Sequence, residues 1–536
     1  MLNVLASIGT IAFGRVAVEE DGDAAIRSPN QPFRFTDLPA ELIARISDSI
    51  QEESDLLSLA ATSVYIRSIL HPSKTRWFTL KCGSYHPSLF KHLSDRPAIA
   101  ESVRTLVLDE WHRNDIPVEL SEPGTIRGTA ELHGLALITA LRKMKNLRKL
   151  VYRIPPPTNV DLFWSTLWRS CPNLEDVEVA DRSTEPLVGS SMFDFKGLKR
   201  FVWYCDASHS ASNVPRDSVV RLHQLENALI HYCPDLEELR MNANRAALHA
   251  GTLMLKGNWP KLKVLELSGF HADDAIGVVS FFYRHGRLET LELEQKDPNS
   301  IFHICIDELS PSCVPLLRDF RGGMESALSI LCSRERRIER LGGVEFDTVM
   351  LGAERPSNWY SSPIPKALLR EISESSHLVE LQGSFAMDIY DKSTLAPLFR
   401  AACRVQSLSL KCRVRGFLES YLEVFSLLKD LRTLTFPLQE LDTLTRPLAL
   451  GSLWLRCVGS SDTFISALKR KSKMLAETCT KLESICFGGY GGTARIERYE
   501  GTLEVSQIHL EEERIKDWWE RDVELERSKA FVLARS

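Results

Sequence analysis

Between Val103 and Leu482 the chain repeats one hydrophobic phrase, Leu-x-x-Leu-x-Leu, often entered through Cys-Pro or a similar turn. Well-formed copies are NLRKLVY at Leu147, CPNLEDVEV at Leu174, CPDLEELRM at Leu236, WPKLKVLEL at Leu262 and GRLETLEL at Leu288. Looser copies start at Val103, Leu198, Leu378, Val405, Leu431, Leu450 and Leu482. The alternating half of the phrase has the period of a strand, with every second side chain turned to one face. Helical spacing precedes it in residues 137–147, 161–171 and 226–233. One helix and one strand cannot bury an apolar face alone, whereas stacked copies can, so the pattern predicts a solenoid with a parallel sheet. Neighbouring copies are often 24–27 residues apart, and the steps of 38 residues after Leu198 and 40 after Ile338 predict insertions. Residues 294–325 and 345–372, rich in Pro, Ser and Gly, read as loops.

A different pattern occupies residues 33–72, where three short helical stripes are separated by polar breaks. The first has Thr36 or Asp37 as cap, Pro39 in its opening turn, and Leu38, Leu42, Ile46 and Ile50 every four residues, widened by Ile43. The second starts near Ser54–Asp55 and carries Leu56, Leu57, Leu59 and Ala60. The third starts near Ser63, carries Val64, Ile66, Ile69 and Leu70, and stops at Pro72. A piece of some forty residues is marginal as an independent core, so it should need a neighbouring domain or a partner. The sequence therefore divides into a polar lead-in (1–32), a helical module (33–80), a linker (81–100), the repeat array (101–500) and a terminal helix (501–536) capping the array. Ile515, Trp518, Trp519 and Val523 supply the stripe of that last helix.

Composition refines this picture. With 44% hydrophobic and 26% charged residues, the 536-residue chain reads as soluble and folded. It has no apolar run of 18 residues, and the apolar residues 1–14 lack the preceding positive charge of a secretory signal. The formal charge of −5 argues against general nucleic-acid binding. Twelve cysteines are spread along the chain with no Cys-x-x-Cys, which reads as buried free thiols in a reducing compartment, cytoplasmic or nuclear.

Candidate chemistry is sparse. The GGYGG run at 488–492 lacks the Lys-Ser/Thr of a phosphate loop and reads as a turn. The 14 histidines form no His-Glu-x-x-His, and no Gly-x-Ser-x-Gly elbow is present. Trp164, Trp168, Phe281, Phe282 and Tyr283 read as packing residues. The expectation is a chain with no catalytic residue, no cofactor and no metal.

The helical module resembles an F-box. The residues that carry the likeness are Leu38, Pro39, Glu41, Leu42, Ile46, Asp55, Leu56, Leu57, Ser63, Arg67 and Leu70. The family's usual tryptophan near the third helix is absent, the next being Trp77. The resemblance implies docking onto the Skp-type adaptor of a cullin–RING ubiquitin ligase, through Leu38, Pro39, Leu42, Ile43, Ile46, Leu56 and Leu57. Together with the irregular repeats, the architecture is similar to the F-box/leucine-rich-repeat proteins of fungi. The implied fold is α/β: a three-helix module, then a leucine-rich-repeat solenoid with a curved parallel sheet and helices outside. The implied function is substrate recognition for an SCF-type ligase, with a protein substrate on the repeats. A scaffold whose helices only cap the solenoid is the other reading.

Overall fold

The computed structural model describes residues 35–509 apart from 51, 71–74, 76, 83–85, 110–129, 155–158, 182–190, 206–218, 244–254, 269–274, 295–312, 334–335, 347–363, 385–391, 412–421, 438–460, 489–491 and 500–501. The lead-in, the copy at Leu450 and the expected helix stripe at Ile515–Val523 lie outside the described residues. The chain divides into two compact units, residues 1–209 and 210–536.

The first unit begins with a turn of 3-10 helix at Phe35–Asp37, followed by α1 (Ala40–Asp48), α2 (Glu53–Ala61) and α3 (Val64–Leu70). Ser63 caps α3 as its sequence predicts, its hydroxyl accepting from the Tyr65 N–H at 3.2 Å. The caps of α1 and α2 fall on Pro39 and Glu52 instead, neither with a side-chain hydrogen bond. Strand β1 (Thr79–Cys82) follows, then α4 (Pro87–Asp95), α5 (Pro97–Ala100), β2 (Thr105–Asp109), α6 (Ala130–Leu141), β3 (Lys149–Arg153), α7 (Val160–Ser170), β4 (Asp176–Asp181) and β5 (Arg200–Cys205). Strands β1 to β5 pair in sequence order, each parallel to the last.

The second unit holds α8 (Val219–Tyr232), β6 (Glu238–Ala243), β7 (Val264–Ser268), α9 (Ala275–Arg284), β8 (Thr290–Glu294), β9 (Asp319–Gly322), α10 (Met324–Cys332) and β10 (Arg340–Glu345). It continues through α11 (Lys366–Glu374), β11 (Glu380–Ser384), α12 (Lys392–Ala401), β12 (Ser407–Lys411), α13 (Leu422–Phe425), β13 (Thr433–Pro437), α14 (Ser461–Thr478) and β14 (Ser484–Gly488). Strands β6 to β14 are again parallel and in chain order. The last two, β15 (Gly492–Tyr499) and β16 (Thr502–His509), turn back as antiparallel strands.

This is a leucine-rich-repeat solenoid, and its phrase does what the spacing predicts. The first residue of each described copy, such as Leu147, Leu174, Leu198, Leu236, Leu262 and Leu288, is buried, as are following positions of the alternating half, such as Leu239 with Met241 and Leu265 with Leu267. Most rungs are also punctuated by backbone alone. The Arg104 carbonyl accepts the N–H groups of both Arg148 (2.8 Å) and Lys149 (3.0 Å). The same doubled acceptance recurs at the carbonyls of Arg148, Glu175, Glu237, Lys263, Glu289, Arg318, Glu339, Val379, Gln406 and Arg432. At these strands the two N–H groups at the start are satisfied by the preceding rung, as stacking one repeat on the next requires.

Several expectations are corrected. The range 81–100, read as a linker, holds the end of β1 and the helices α4 and α5: Pro87 opens α4, and Leu89, Phe90 and Leu93 bury one face of it. The array accordingly starts at β1, inside the range assigned to the helical module. The loop of 294–325 contains β9, and that of 345–372 runs into α11; Pro, Ser and Gly at their flanks hid short elements whose apolar residues are few. Residues 502–509, expected to begin a helix, are a strand, because TLEVSQIH alternates with period two and pairs with β15. Of the GGYGG run, Gly488 ends β14 and Gly492 begins β15, and 489–491 lie outside the described residues.

One irregularity is built into β10. Leu341 pairs with Leu381 and Val344 with Gly383, so two residues of β10 oppose one of β11. Gly343 takes the left-handed conformation at φ 69°, where a Cβ would stand 3.0 Å from the Gly322 nitrogen. Only glycine meets both conditions.

Candidate functional site

The helical module buries one set of its apolar side chains and leaves another set exposed. Ile43 of α1, Leu56 and Ala60 of α2, and Ile66 and Leu70 of α3 form a buried cluster with Phe78, the residue before β1. Phe35, Leu38, Ile50, Leu59 and Ile69 pack around it half-buried. Burial of each large aliphatic chain contributes on the order of 1.5–3 kcal/mol. A polar tie joins the same elements: the Thr79 hydroxyl donates to Glu53 Oε2 at 2.5 Å. The module is thus seated on the first strand of the array, which supplies the neighbour its size requires.

The other set is exposed. Leu42 is 39% exposed, Leu57 50%, Tyr65 44% and Val64 81%, and Pro39 is exposed beside them in sequence. Among the seven residues expected to dock a partner, Pro39, Leu42 and Leu57 are on the surface, while Leu38 and Ile46 are half-buried. Ile43 and Leu56 are interior, at 0% and 1% exposure. These two belong to the cluster that holds the helices together. Val64 and Tyr65 were not among the expected residues. The signal for Val64 was present in its phase, two residues off the Ile66–Leu70 stripe, so an apolar side chain there has no core to enter. Trp77 is buried and stacks on His92 with ring centroids 5.9 Å apart, so it belongs to the base of the array and not to the outward face.

The open face of the sheet, turned away from the alternating buried residues, carries charge. In the first unit Lys149, Asp176 and Arg200 form one row across β3, β4 and β5, with Lys149–Asp176 at 3.0 Å and Asp176–Arg200 at 2.8 Å. Arg153 bonds Glu178 and reaches Asp109 at 3.5 Å, and Arg200 bonds Glu178 at 3.2 Å. Burial alone would raise the Glu178 carboxyl, but hydrogen bonds and charge from Arg153 and Arg200 outweigh it and hold it below the usual carboxylate range. The cations lie outermost, and the carboxylates of Asp109 and Glu178 are buried beneath them. Such a face is ordered by its own pairs and offers fixed charges to whatever approaches.

The described cysteines are free thiols; Cys82, Cys171, Cys233, Cys313 and Cys479 are buried, whereas Cys332 is exposed. Burial pushes the Cys82 and Cys171 thiols up to about 12, a range in which the thiol stays protonated and is a poor nucleophile. Trp164 and Phe163 are buried in α7, with Trp164 stacked on Trp168 at 5.8 Å; Phe281 and Phe282 are likewise buried, but Tyr283 is exposed. Among the described residues no group of three His, Cys, Asp or Glu side chains has metal-binding geometry, and no helix is long and apolar enough to cross a membrane.

No protein-family model matches the chain, and no curated protein matches it. Solved structures similar to it include an internalin (inlF) from Listeria monocytogenes, at 13% identity and a TM-score of 0.30, over 65% of this chain and 87% of that one. The leucine-rich repeat-containing protein LegL7 from Legionella pneumophila matches at 12% identity and a TM-score of 0.29, over 77% and 90%. A chain of the yeast Rad7 and Elc1 complex matches at 13% identity and a TM-score of 0.32, over 84% and 88%.

Proposed function

We propose that the chain is a non-catalytic substrate receptor, in which the F-box-like helices hold a Skp-type adaptor, and through it a cullin, while the repeats hold a protein substrate. The observation that carries this reading is the exposure of Pro39, Leu42, Leu57, Val64 and Tyr65 on a module whose interior is already formed by Ile43, Leu56 and Phe78. Large apolar side chains left exposed by a module with its own core are candidates for a recognition surface. The Leu-Pro-x-Glu-Leu sequence that opens α1 gives that surface its F-box character. The chain needs no reactive group for this work: holding a substrate lysine near a charged conjugating enzyme raises its effective concentration. Action in the cytoplasm or nucleus belongs to the same proposal.

A scaffold with no ligase role is the second reading, favoured by the seating of the helices on Phe78 and Thr79. Capture of purified Skp-type adaptor by the full chain separates the two. A Leu42→Asp/Leu57→Asp variant changes only exposed positions, so its fold should survive, while a charge in an apolar contact abolishes docking. Adaptor capture by the wild type and loss in the variant is the expected result. If the wild type captures no adaptor, or the variant captures it equally well, the ligase role is wrong and the scaffold stands.

A further inference from the structure

Helix α14 carries Lys-Arg-Lys-Ser-Lys at 469–473, four cations in five residues of a chain whose formal charge is −5. Helical spacing sorts these residues. Ser472, Leu475 and Ala476 are buried, so that side of the helix packs into the array. Lys469, Arg470 and Lys473 share the exposed side, and Lys471 is half-buried.

Two ordinary reasons for cations on a helix do not hold here. The first is pairing. Cations on the nearby turns and strands are taken up, Lys481 by Asp430 at 2.5 Å, Arg432 by Glu483 at 3.0 Å and Arg495 by Glu497 at 3.9 Å. Among the described residues, Lys469, Arg470, Lys471 and Lys473 have no carboxylate within ion-pair distance. Even Glu477, exposed four residues after Lys473, makes no ion pair with it, and Lys before Glu is the weaker order for such a contact. The second reason is the helix dipole, which rewards cations in the last turn. The last turn of α14 has none, and Arg498 donates to the carbonyls of Ala476 and Cys479 there. Lys469 and Lys473, one turn apart, instead repel each other and weaken the helix that bears them. An unpaired group of like charges on a folded surface attracts an anionic partner.

We infer that the exposed side of α14 binds an acidic segment of a protein partner through Lys469, Arg470 and Lys473. Side chains on one side of an extended peptide are about 6.6 Å apart, and four residues of helix rise about 6 Å. Alternate carboxylates of an extended segment therefore match Lys469 and Lys473, while Arg470 offers its planar fork to one of them. Other polyanions fit less well. A helix lying on a membrane turns its apolar residues to the lipid, and Leu475 and Ala476 are buried in the array. Nucleic acid is held by many phosphate contacts, and single strands by stacked aromatic rings as well; here three exposed cations span one turn, and residues 469–478 include no aromatic. The inference does not depend on the adaptor contact, since α14 belongs to the second unit and the F-box-like helices to the first.

Fluorescence anisotropy of a labelled dodecapeptide of alternating Glu and Ser, titrated with the full chain, tests it. Binding should be about tenfold weaker for Lys469→Gln/Arg470→Gln/Lys473→Gln, three exposed contacts each contributing a factor of roughly two. A Lys199→Gln/Lys261→Gln/Lys263→Gln variant removes the same charge from positions already paired, and should bind as the wild type does. The α14 variant should unfold at a temperature no lower than the wild type, because the repulsion is gone. Should it not fold, carbodiimide cross-linking on the wild type decides, the peptide being joined to Lys469 or Lys473. The surface is overturned by no binding, by equal binding of wild type and α14 variant, by equal losses in the two variants, or by cross-links confined to other lysines. Tighter binding of a single-stranded oligonucleotide or of phosphatidylserine vesicles, lost in the α14 variant, overturns the protein partner. Adaptor capture by the α14 variant stays at the wild-type level if the ligase role is right, so the two proposals fail separately.

Discussion

At His285 two neighbours fix one protonation state. Its Nε2 accepts the Trp259 backbone N–H at 3.0 Å and its Nδ1 lies 2.7 Å from the Phe281 carbonyl, so the neutral ring with the proton on Nδ1 satisfies both. Burial, partly opposed by the bond to Phe281, lowers the pKa from 6.5 to about 4. The unfolded chain therefore binds the proton first as pH falls, and the ring's contribution is full above about 6.5 and lost as pH falls through about 4. On the order of 3 kcal/mol is at stake. Urea unfolding at pH 7.5 and 4.5 should show this loss, and a His285→Gln variant should show a smaller difference between the two values. Gly383 makes a steric prediction: it lies against the buried ring of Phe346, in the space a Cβ would occupy. Gly383→Ala should lower the free energy of unfolding by about 1–3 kcal/mol, the usual penalty of overpacking. Neither feature is legible in sequence, since Phe346 and Gly383 are far apart in the chain and meet only through the bulge of β10.

Elements are stabilised where one finishes another. Arg498, on β15, donates to the carbonyls of Leu482 (2.6 Å), Ala476 (3.0 Å) and Cys479 (3.1 Å), closing the end of α14 and the turn after it. Arg498→Met should lose about 2–3 kcal/mol, and amide exchange should accelerate first in the last turn of α14. The helical module splits its residues by role. Ile43→Ala or Leu56→Ala should destabilise the module by about 2–5 kcal/mol, whereas Leu42→Ala and Leu57→Ala should stay within about 0.5 kcal/mol, as denaturant titration will read. Sequence periodicity located all three helices but could not say which half of the stripe faces inward. That choice depends on Phe78, which belongs to the next element. The same reasoning explains the strands: LELS and LELE declare themselves by alternation, while DFRG of β9 is four residues long with Gly322 where the phrase has its last apolar residue.

At the scale of the whole molecule, a repeat array has stability close to a sum of local terms, and two compact units need not unfold together. Trp164 and Trp168 report on the first unit and Trp259 on the second, so fluorescence and far-ultraviolet dichroism should not trace one coincident unfolding curve. The architecture was legible because a period is a property of many residues at once and survives the loss of several copies. The open face was not, because its residues are the variable positions of the phrase. The doubled carbonyl at the start of most strands has a bearing on descent. A joint made only of main-chain atoms asks nothing of the side chains beside it, so the outward letters of each rung can drift generation by generation without loosening the stack. Selection can rewrite what the surface binds while the frame beneath is inherited unchanged.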